Sequence, residues 1–454
     1  MSFSRRRRWS GYVQTLAVSA LALACAACQG VDNNLLKPSG EAQTAPVVGQ
    51  SFTDYVGSSH FRLDTVLGGG GASEYMGGYS AAEAAAMRAP FQWGPNPELC
   101  TGEKAAGTGK AFLLVHGLTD SPYVLRNAAA SLQAAYPCSQ GRALLLPGHG
   151  TVPGDSLEMT YTEWQEAFRY GIGSFKADPD PVAGAPAQLY LVGFSTGTSL
   201  MLDYMHRHHE AAGQPRQDNV AGMILLSPAV QASSGLAFLT PMIRHVKSWM
   251  SVYPERDAAR YESFSFNAGA EFYHLTREMN DPVYAPTVPV LMAVSADDTT
   301  IDSRAARRLF CASEVKRRLM VWYPSVDADV NKDVAADAAL QCDGIVEVPL
   351  ASFPADMRTL NISHVGVAGS PADPHYGLDG RYRNCKELDD DKTRAEFEQC
   401  VSQNDKTVYG ENPDLLKKQA NLDGRQVRRG TFNPDYPALE KRMVCLVDEN
   451  CALQ

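Results

Sequence analysis

The sequence predicts an α/β fold: a mostly parallel central sheet with helices on both faces and a helical cap inserted between two of its strands. Three observations carry that expectation. Short continuous apolar runs such as AFLLVHG (111–117), QLYLVGF (188–194) and VPVLMAVSA (288–296) read as strands buried on both faces. Helix-like stretches alternate with them, which builds βαβ units. Residues 229–288 then separate the fourth run from the fifth, far more than the roughly dozen residues a plain crossover needs. That surplus is read as the cap, placed over the strand ends where open α/β sheets bind ligands.

Taken in order, residues 1–28 read as a signal peptide. Arg5–Arg8 supply the positive start, and TLAVSALALA (15–24) is an apolar stretch too short to span a bilayer. The following CAACQG resembles a bacterial lipobox, which implies lipidation of Cys28 (or Cys25) and a periplasmic or outer-membrane lipoprotein, with plain secretion as the alternative. Residues 29–50 are polar and contain proline, as a tether does, and 51–108 are expected to be an N-terminal extension packed on the main domain, 109–454.

Within that domain, SPYVLRNAAASLQAAY (121–136) reads as a helix with Ser121 as N-cap and Pro122 first. RALLLPGHG (142–150) is a strand and turn, and TYTEWQEAFRYGIGSF (160–175) a helix. QLYLVGF is the third strand, TSLMLDYMHRH (198–208) a helix, and AGMILLSPA (221–229) the fourth strand. The fifth strand, VPVLMAVSA, precedes the helix SRAARRLF (303–310). A cysteine-containing insert (376–430) and a last helix, YPALEKRMVCLV (436–447), complete the chain.

A net charge of −10 offers no basic stripe and excludes nucleic acid as a partner. Beyond Cys25 and Cys28 eight cysteines remain, an even number that in an exported chain reads as disulfides. Neighbouring pairs, such as Cys385 with Cys400 and Cys445 with Cys451, are expected. No cysteine spacing suits zinc. DADVNKDVAADA (327–338) has acidic groups at alternating positions, but Lys332 and Ala338 stand where a calcium loop needs glycine and glutamate. The HRHH cluster (206–209) ends a helix, where positive charge suits the dipole, and is read as solvated.

The chemistry centres on GFSTG (193–197), which matches G-x-S-x-G between a strand and a helix. A serine on so sharp a turn is strained, and side chains at Gly193 or Gly197 would crowd it. Hydrolases built this way place serine, then an acid, then histidine along the chain. Of ten histidines only His364 and His375 lie beyond the acid loop, VSADDTTID (294–302), which offers Asp297, Asp298 and Asp302.

LLVHGLTDSP (113–122), LPGHGT (146–151), GFSTG, SADDTTID (295–302) and ISHVG (362–366), in that order, resemble the α/β-hydrolase superfamily, in its carboxylesterase, monoacylglycerol lipase and serine aminopeptidase-like branch. The similarity spans about 109–365 and the last helix. It implies Ser195 as nucleophile and His364 as base, with His375 the weaker rival. The family's G-x-x-D-x-x-V pattern falls on Ser295, Asp298 and Ile301, which implies Asp298 as acid ahead of Asp297. The backbone N–H groups of Leu118 and Thr196 would form the oxyanion hole, and His116 and His149 would be structural. No metal or organic cofactor is implied. The expected activity is cleavage of small-molecule or lipid carboxylic esters. Phe238, Met242, Trp249 and Met250 of the cap are candidates for an acyl pocket. The alternatives are an amidase or aminopeptidase, with Glu255 or Glu271 meeting a free amine, and a non-catalytic binding module on the same fold.

Overall fold

The computed structural model describes residues 34–47, 49–101, 109–179, 186–209, 218–280, 284–388, 394–402, 407–411 and 425–453. The segment read as a signal peptide, with Cys25 and Cys28, lies outside the described residues.

Eight strands form the central sheet: β1 (Phe91–Trp93), β2 (Lys110–Val115), β3 (Gln140–Leu144), β4 (Gln188–Phe194), β5 (Val220–Leu226), β8 (Val290–Ser295), β9 (Arg318–Tyr323) and β10 (Ile345–Glu347). Their spatial order is β1-β3-β2-β4-β5-β8-β9-β10, parallel except for β1, which runs antiparallel to β3. The chain leaves β2 for β3 on one side and returns to β4 on the other, so the order reverses between β2 and β4. A crevice opens at such a reversal, outside the carboxyl ends of the strands. Both candidate loops of the site, 116–121 and 195–197, leave the sheet at that point.

The period-two alternation of the strands divides the apolar residues between two cores. Leu113, Val115, Leu191 and Met292 face one side, where Trp164, Phe168, Leu200 and Leu309 cover them. Phe112, Leu114, Val192 and Leu291 face the other, beneath Leu132, Leu439 and Met443. Each fully buried Leu or Phe contributes about 1.5–3 kcal/mol. The covering helices are α3 (Arg126–Ala135), α4 (Tyr161–Ala177), α5 (Thr196–His209), α8 (Ser303–Ala312) and α11 (Tyr436–Val447). Helix α4 starts in a capping box: Thr160 accepts from the Glu163 amide, and the Glu163 carboxylate accepts from the Thr160 amide. The segment 121–136 is not one helix. Pro122–Leu125 forms a tighter 3-10 turn, capped by Ser121, before α3 begins.

The N-terminal extension forms α1 (Phe52–Val66), α2 (Ala81–Arg88) and the edge strand β1. The tether reading needs correction for residues 34–47. The Gly154 amide donates to the Leu35 carbonyl (2.9 Å) and the Gly148 amide to that of Gln43 (2.8 Å). The Ser39 hydroxyl donates to Asp155 (2.8 Å), so this segment is bound to the body of the domain.

Between β5 and β8 lies the cap, made of a short helix α6 (Thr240–Ile243), the hairpin pair β6 (Trp249–Ser251) and β7 (Phe264–Ser265), and α7 (Phe266–Met279). The stretch 327–338 carries a helix, α9 (Ala328–Ala336), with Asp327 capping it and Asp329 paired with Lys332. The run RTLNIS before His364 is not a sheet strand; its one β-contact is a bridge from Thr359 to Tyr409. Tyr409 belongs to β11 (Thr407–Gly410), which pairs in parallel with β12 (Gln426–Arg429) after α10 (Arg394–Ser402). Among the described residues no helix is long and apolar enough to cross a membrane.

Cysteines pair as Cys100–Cys138, Cys311–Cys342, Cys385–Cys400 and Cys445–Cys451. Peptide mapping under non-reducing conditions should recover these four links and no others; a peptide joining Cys385 or Cys400 to any third cysteine would contradict the arrangement.

Candidate active site

Ser195 follows β4 with φ 51, in the left-handed region that a non-glycine residue enters at a cost of about 1–3 kcal/mol. Its amide donates to the Leu226 carbonyl (3.0 Å), and its carbonyl accepts from the Thr198 amide (2.8 Å), so strand and helix both hold the turn. The glycines are required by space. A Cβ at Gly193 would lie 2.4 Å from the Met201 sulfur, and one at Gly197 would lie 2.1 Å from the Val115 carbonyl oxygen.

The three aspartates of the acid loop do three different things. Asp298, with its side chain fully buried, presents Oδ2 to His364 Nδ1 at 2.6 Å, while its Oδ1 accepts from the amides of Thr300 (2.8 Å) and Ile301 (3.0 Å). Asp297 accepts from the Val326 amide (3.0 Å), the Asn361 side chain (2.7 Å) and the Ser325 hydroxyl, and so anchors neighbouring loops. Asp302 caps α8 by accepting from the Ala305 amide (3.0 Å). His364 Nε2 lies 2.9 Å from Ser195 Oγ. A continuous path therefore runs from serine through imidazole to carboxylate.

His375 is placed elsewhere. Both its ring nitrogens are taken, Nε2 by Asp257 (2.8 Å) and Nδ1 by the Tyr79 hydroxyl (3.0 Å), and its ring is fully buried. His116 accepts from the Leu146 amide at Nε2 (3.0 Å), leaving Nδ1 to donate to the Gly117 carbonyl (2.7 Å). Burial holds its pKa well below the usual value, and holds that of His149 down at about 4, so both rings are neutral. In the HRHH cluster His208 stacks on Tyr204 and His206 faces Tyr284.

Leu118 follows β2 and Thr196 opens α5, and both border the cavity in front of Ser195. The Thr196 amide belongs to the first turn of a helix, whose N–H groups have no intrahelical acceptor. Thr119 beside Leu118 has φ 67, and its carbonyl accepts from the Tyr261 amide (2.9 Å), which ties the loop to the cap.

The cavity has a volume of about 640 Å³, with Ser195 and His364 in its wall and Leu236, Leu239, Ile243, Met250, Phe264 and Phe272 from the cap. An apolar chamber with a few convergent polar groups is the usual form of a small-ligand site. Of the four expected acyl-pocket residues only Met250 lines this chamber. Phe238 lines an adjoining groove of about 680 Å³ across Phe272, Met242 is 70% exposed to solvent, and Trp249 borders neither space. The two cap carboxylates proposed to meet an amine are also occupied. Glu255 accepts from the amides of Glu262 (2.9 Å) and Ser263 (2.7 Å), and Glu271 from the Tyr161 amide (2.9 Å) and from Arg244.

A buried charged cluster reaches the cavity wall, which Asp120 and Arg260 both line. Arg260 stands between Asp120 (3.6 Å) and Asp257 (3.2 Å). Burial raises the Asp120 carboxyl to about 6, with Arg260 and His364 working against it. Burial pushes Asp257 upward too, but its contacts with His375 and Arg260 bring it down to about 2.

Sequence reasoning missed three groups that hold the site. Ser227, with φ 47, donates from its hydroxyl to the His364 carbonyl (2.8 Å). Ser295, noted only for standing where glycine is usual, donates to the Ile362 carbonyl (2.6 Å). Glu411, from the C-terminal insert, accepts from the His364 amide (3.0 Å) and carries no motif that would have found it.

A family model described as "alpha/beta hydrolase family" matches residues 112–367, more than half of the chain. No curated protein matches the sequence. Among solved structures, the chain is similar to a monoacylglycerol lipase of Paleococcus ferrophilus, with 18% identity and a TM-score of 0.41 over 69% of this chain and 98% of that one. It is also similar to a soluble variant of monoglyceride lipase from Saccharomyces cerevisiae, with 13% identity and a TM-score of 0.38 over 55% and 89%. A third similar structure is Est1E from Butyrivibrio proteoclasticus with ferulic acid bound, at 14% identity and a TM-score of 0.34 over 55% and 92%.

Burial and the adjacent Glu262 push the Glu255 carboxyl up from its usual 4.5 to about 7. Between those values the folded chain keeps a proton that the unfolded chain releases, so this group's contribution to stability falls as pH rises. Glu255→Gln removes the dependence. The wild-type unfolding midpoint should therefore drop relative to that of the variant from about pH 4.5 to about pH 7 in calorimetry; parallel curves would contradict the placement.

Proposed function

The chain belongs to the alpha/beta hydrolase family, and on that premise we propose that it is an exported serine hydrolase cleaving carboxylic esters through an acyl-enzyme. The observation that carries the proposal is the pair of contacts at His364, 2.9 Å to the Ser195 hydroxyl and 2.6 Å to the Asp298 carboxylate, at the wall of an apolar cavity. Ser195 Oγ attacks the ester carbonyl while its proton passes to His364 Nε2. Asp298 holds the ring so that Nε2 faces the serine, and stabilises the imidazolium. The oxyanion takes hydrogen bonds from the amides of Leu118 and Thr196. Collapse breaks the carbonyl–alkoxy bond and the imidazolium protonates the departing alcohol. Water then attacks the acyl-enzyme, giving its proton to His364, which returns it to Ser195 as the acid leaves.

Export fits the four disulfides, which persist in oxidising compartments. The lipobox-like CAACQG further assigns a lipid anchor to Cys28 or Cys25, in a bacterial periplasm or outer membrane. The ester reading is preferred over an aminopeptidase because Glu255 and Glu271 are both spent on internal hydrogen bonds. A purely binding role finds no support in a site that has all three side chains in contact.

Ser195→Ala should lower kcat on p-nitrophenyl esters by ~10⁴-fold or more, and His364→Ala by a comparable factor, while the unfolding midpoint changes little. An active Ser195→Ala enzyme would overturn the assignment. In parallel assays the wild-type protein is expected to turn over p-nitrophenyl esters faster than aminoacyl anilides; the reverse order would move the reading to an aminopeptidase.

A further inference from the structure

His364 lacks the support the other members of the site enjoy. Ser195 sits between β4 and α5, and Asp298 lies three residues past the end of β8. His364 instead follows residues 348–363, which form 3-10 turns and one isolated bridge but no sheet strand. Its loop therefore needs external ties, and Glu411 supplies one from outside the family-matched residues 112–367.

The Glu411 side chain is fully buried. Oε2 accepts from the His364 amide (3.0 Å) and from Arg429 Nε (3.1 Å). Oε1 accepts from the Thr299 amide (3.2 Å), the Thr299 hydroxyl (2.5 Å) and Arg429 Nη2 (2.7 Å). Arg429 reaches Thr300 Oγ1 as well (3.1 Å), and the Glu411 amide donates to Asn361 (2.8 Å). One carboxylate thus joins the residue after Asp298 to His364 itself. Ser227 and Ser295 also tie the histidine loop, but to β-strand ends and not to the residues after Asp298. Glu411 follows β11 and Arg429 ends β12, so both groups are brought to the site by this parallel strand pair.

We propose that Glu411, held by Arg429, is a positioning residue of the hydrolytic site, a clamp from the C-terminal insert that sets the separation of the Asp298 and His364 loops. The proposal rests on the Ser195–His364–Asp298 reading given above. Glutamine at 411 keeps the shape but turns an NH₂ toward donors, so the loops lose their shared acceptor. A displacement of about 1 Å in such a site costs up to ~100-fold in rate.

The experiment compares full-length wild-type, Glu411→Gln, Thr299→Val and Thr299→Ser proteins on p-nitrophenyl esters, with rates expressed per active site titrated by a fluorophosphonate. Glu411→Gln should lower kcat per titrated site by about 10- to 100-fold with KM within about twofold. Thr299→Val should lower kcat several-fold, and Thr299→Ser, which restores the hydroxyl donor, should recover it. A role in folding alone would reduce the number of titrated sites and leave kcat per site unchanged, which would overturn the clamp. If Glu411→Gln does not fold, the Thr299 pair decides: equal kcat for Thr299→Val and wild type overturns the proposal. An active Ser195→Ala protein would instead remove the hydrolase reading, and the clamp with it.

Discussion

The backbone of Ser195 is the constraint on which the rest of the arrangement depends. At φ 51 the chain turns from β4 into α5 without an intervening loop, which lifts the serine hydroxyl clear of the sheet. That turn brings Gly197 so near the Val115 carbonyl that no side chain fits between them. The strand carrying Val115 must therefore lie beside β4, and it does, with Val115 paired to Gly193. Their adjacency is also the point where strand order reverses, so the loop bearing Leu118 and the loop bearing Ser195 enter one crevice.

Around that fixed point, charge is sorted by partners and burial. Asp298 and Asp297 are consecutive in the chain, yet one meets imidazole and the other binds an amide, a side-chain amide and a hydroxyl from distant segments. His364 and His375 are both buried and both carboxylate-bound, but only His364 has its second nitrogen against a serine. The second pair, His375 with Asp257, belongs to a buried charged cluster in which Arg260 links Asp257 to Asp120 at the cavity wall. A carboxylate deep in a low-dielectric region is tolerated when such partners surround it.

Much of this was readable in the sequence where the determinant is local. Continuous apolar runs located β2, β4, β5 and β8, because strands buried on both faces need apolar residues at every position. Gly193, Ser195 and Gly197 were readable because the G-x-S-x-G pattern is itself local, although the groups that crowd the two glycines, Met201 and the Val115 carbonyl, lie outside it. The short strands β1 and β10 gave no periodic signal, having three residues each. RTLNIS has strand-like composition but pairs only at Thr359, since the sheet edge beside β9 is already taken by β10. The polar segment 34–47 read as a tether because its ties to Asp155, Gly148 and Gly154 involve mostly backbone groups, invisible in composition. Met242 shows the limit for the cap: its apolar side chain says that burial is favourable, not which face of a four-residue helix receives it. Glu411 was beyond reach for a related reason, as one acid among many charges of both signs in residues 376–430, distinguished only by what the fold brings to it.

The central claim is that Ser195 is the group that takes up the acyl chain. It is tested most directly by reacting the wild-type protein with a fluorophosphonate and locating the adduct by peptide mass spectrometry. The account predicts one phosphonyl group per chain, on Ser195. An adduct on another residue, or an unmodified chain under conditions that label serine esterases, would contradict it.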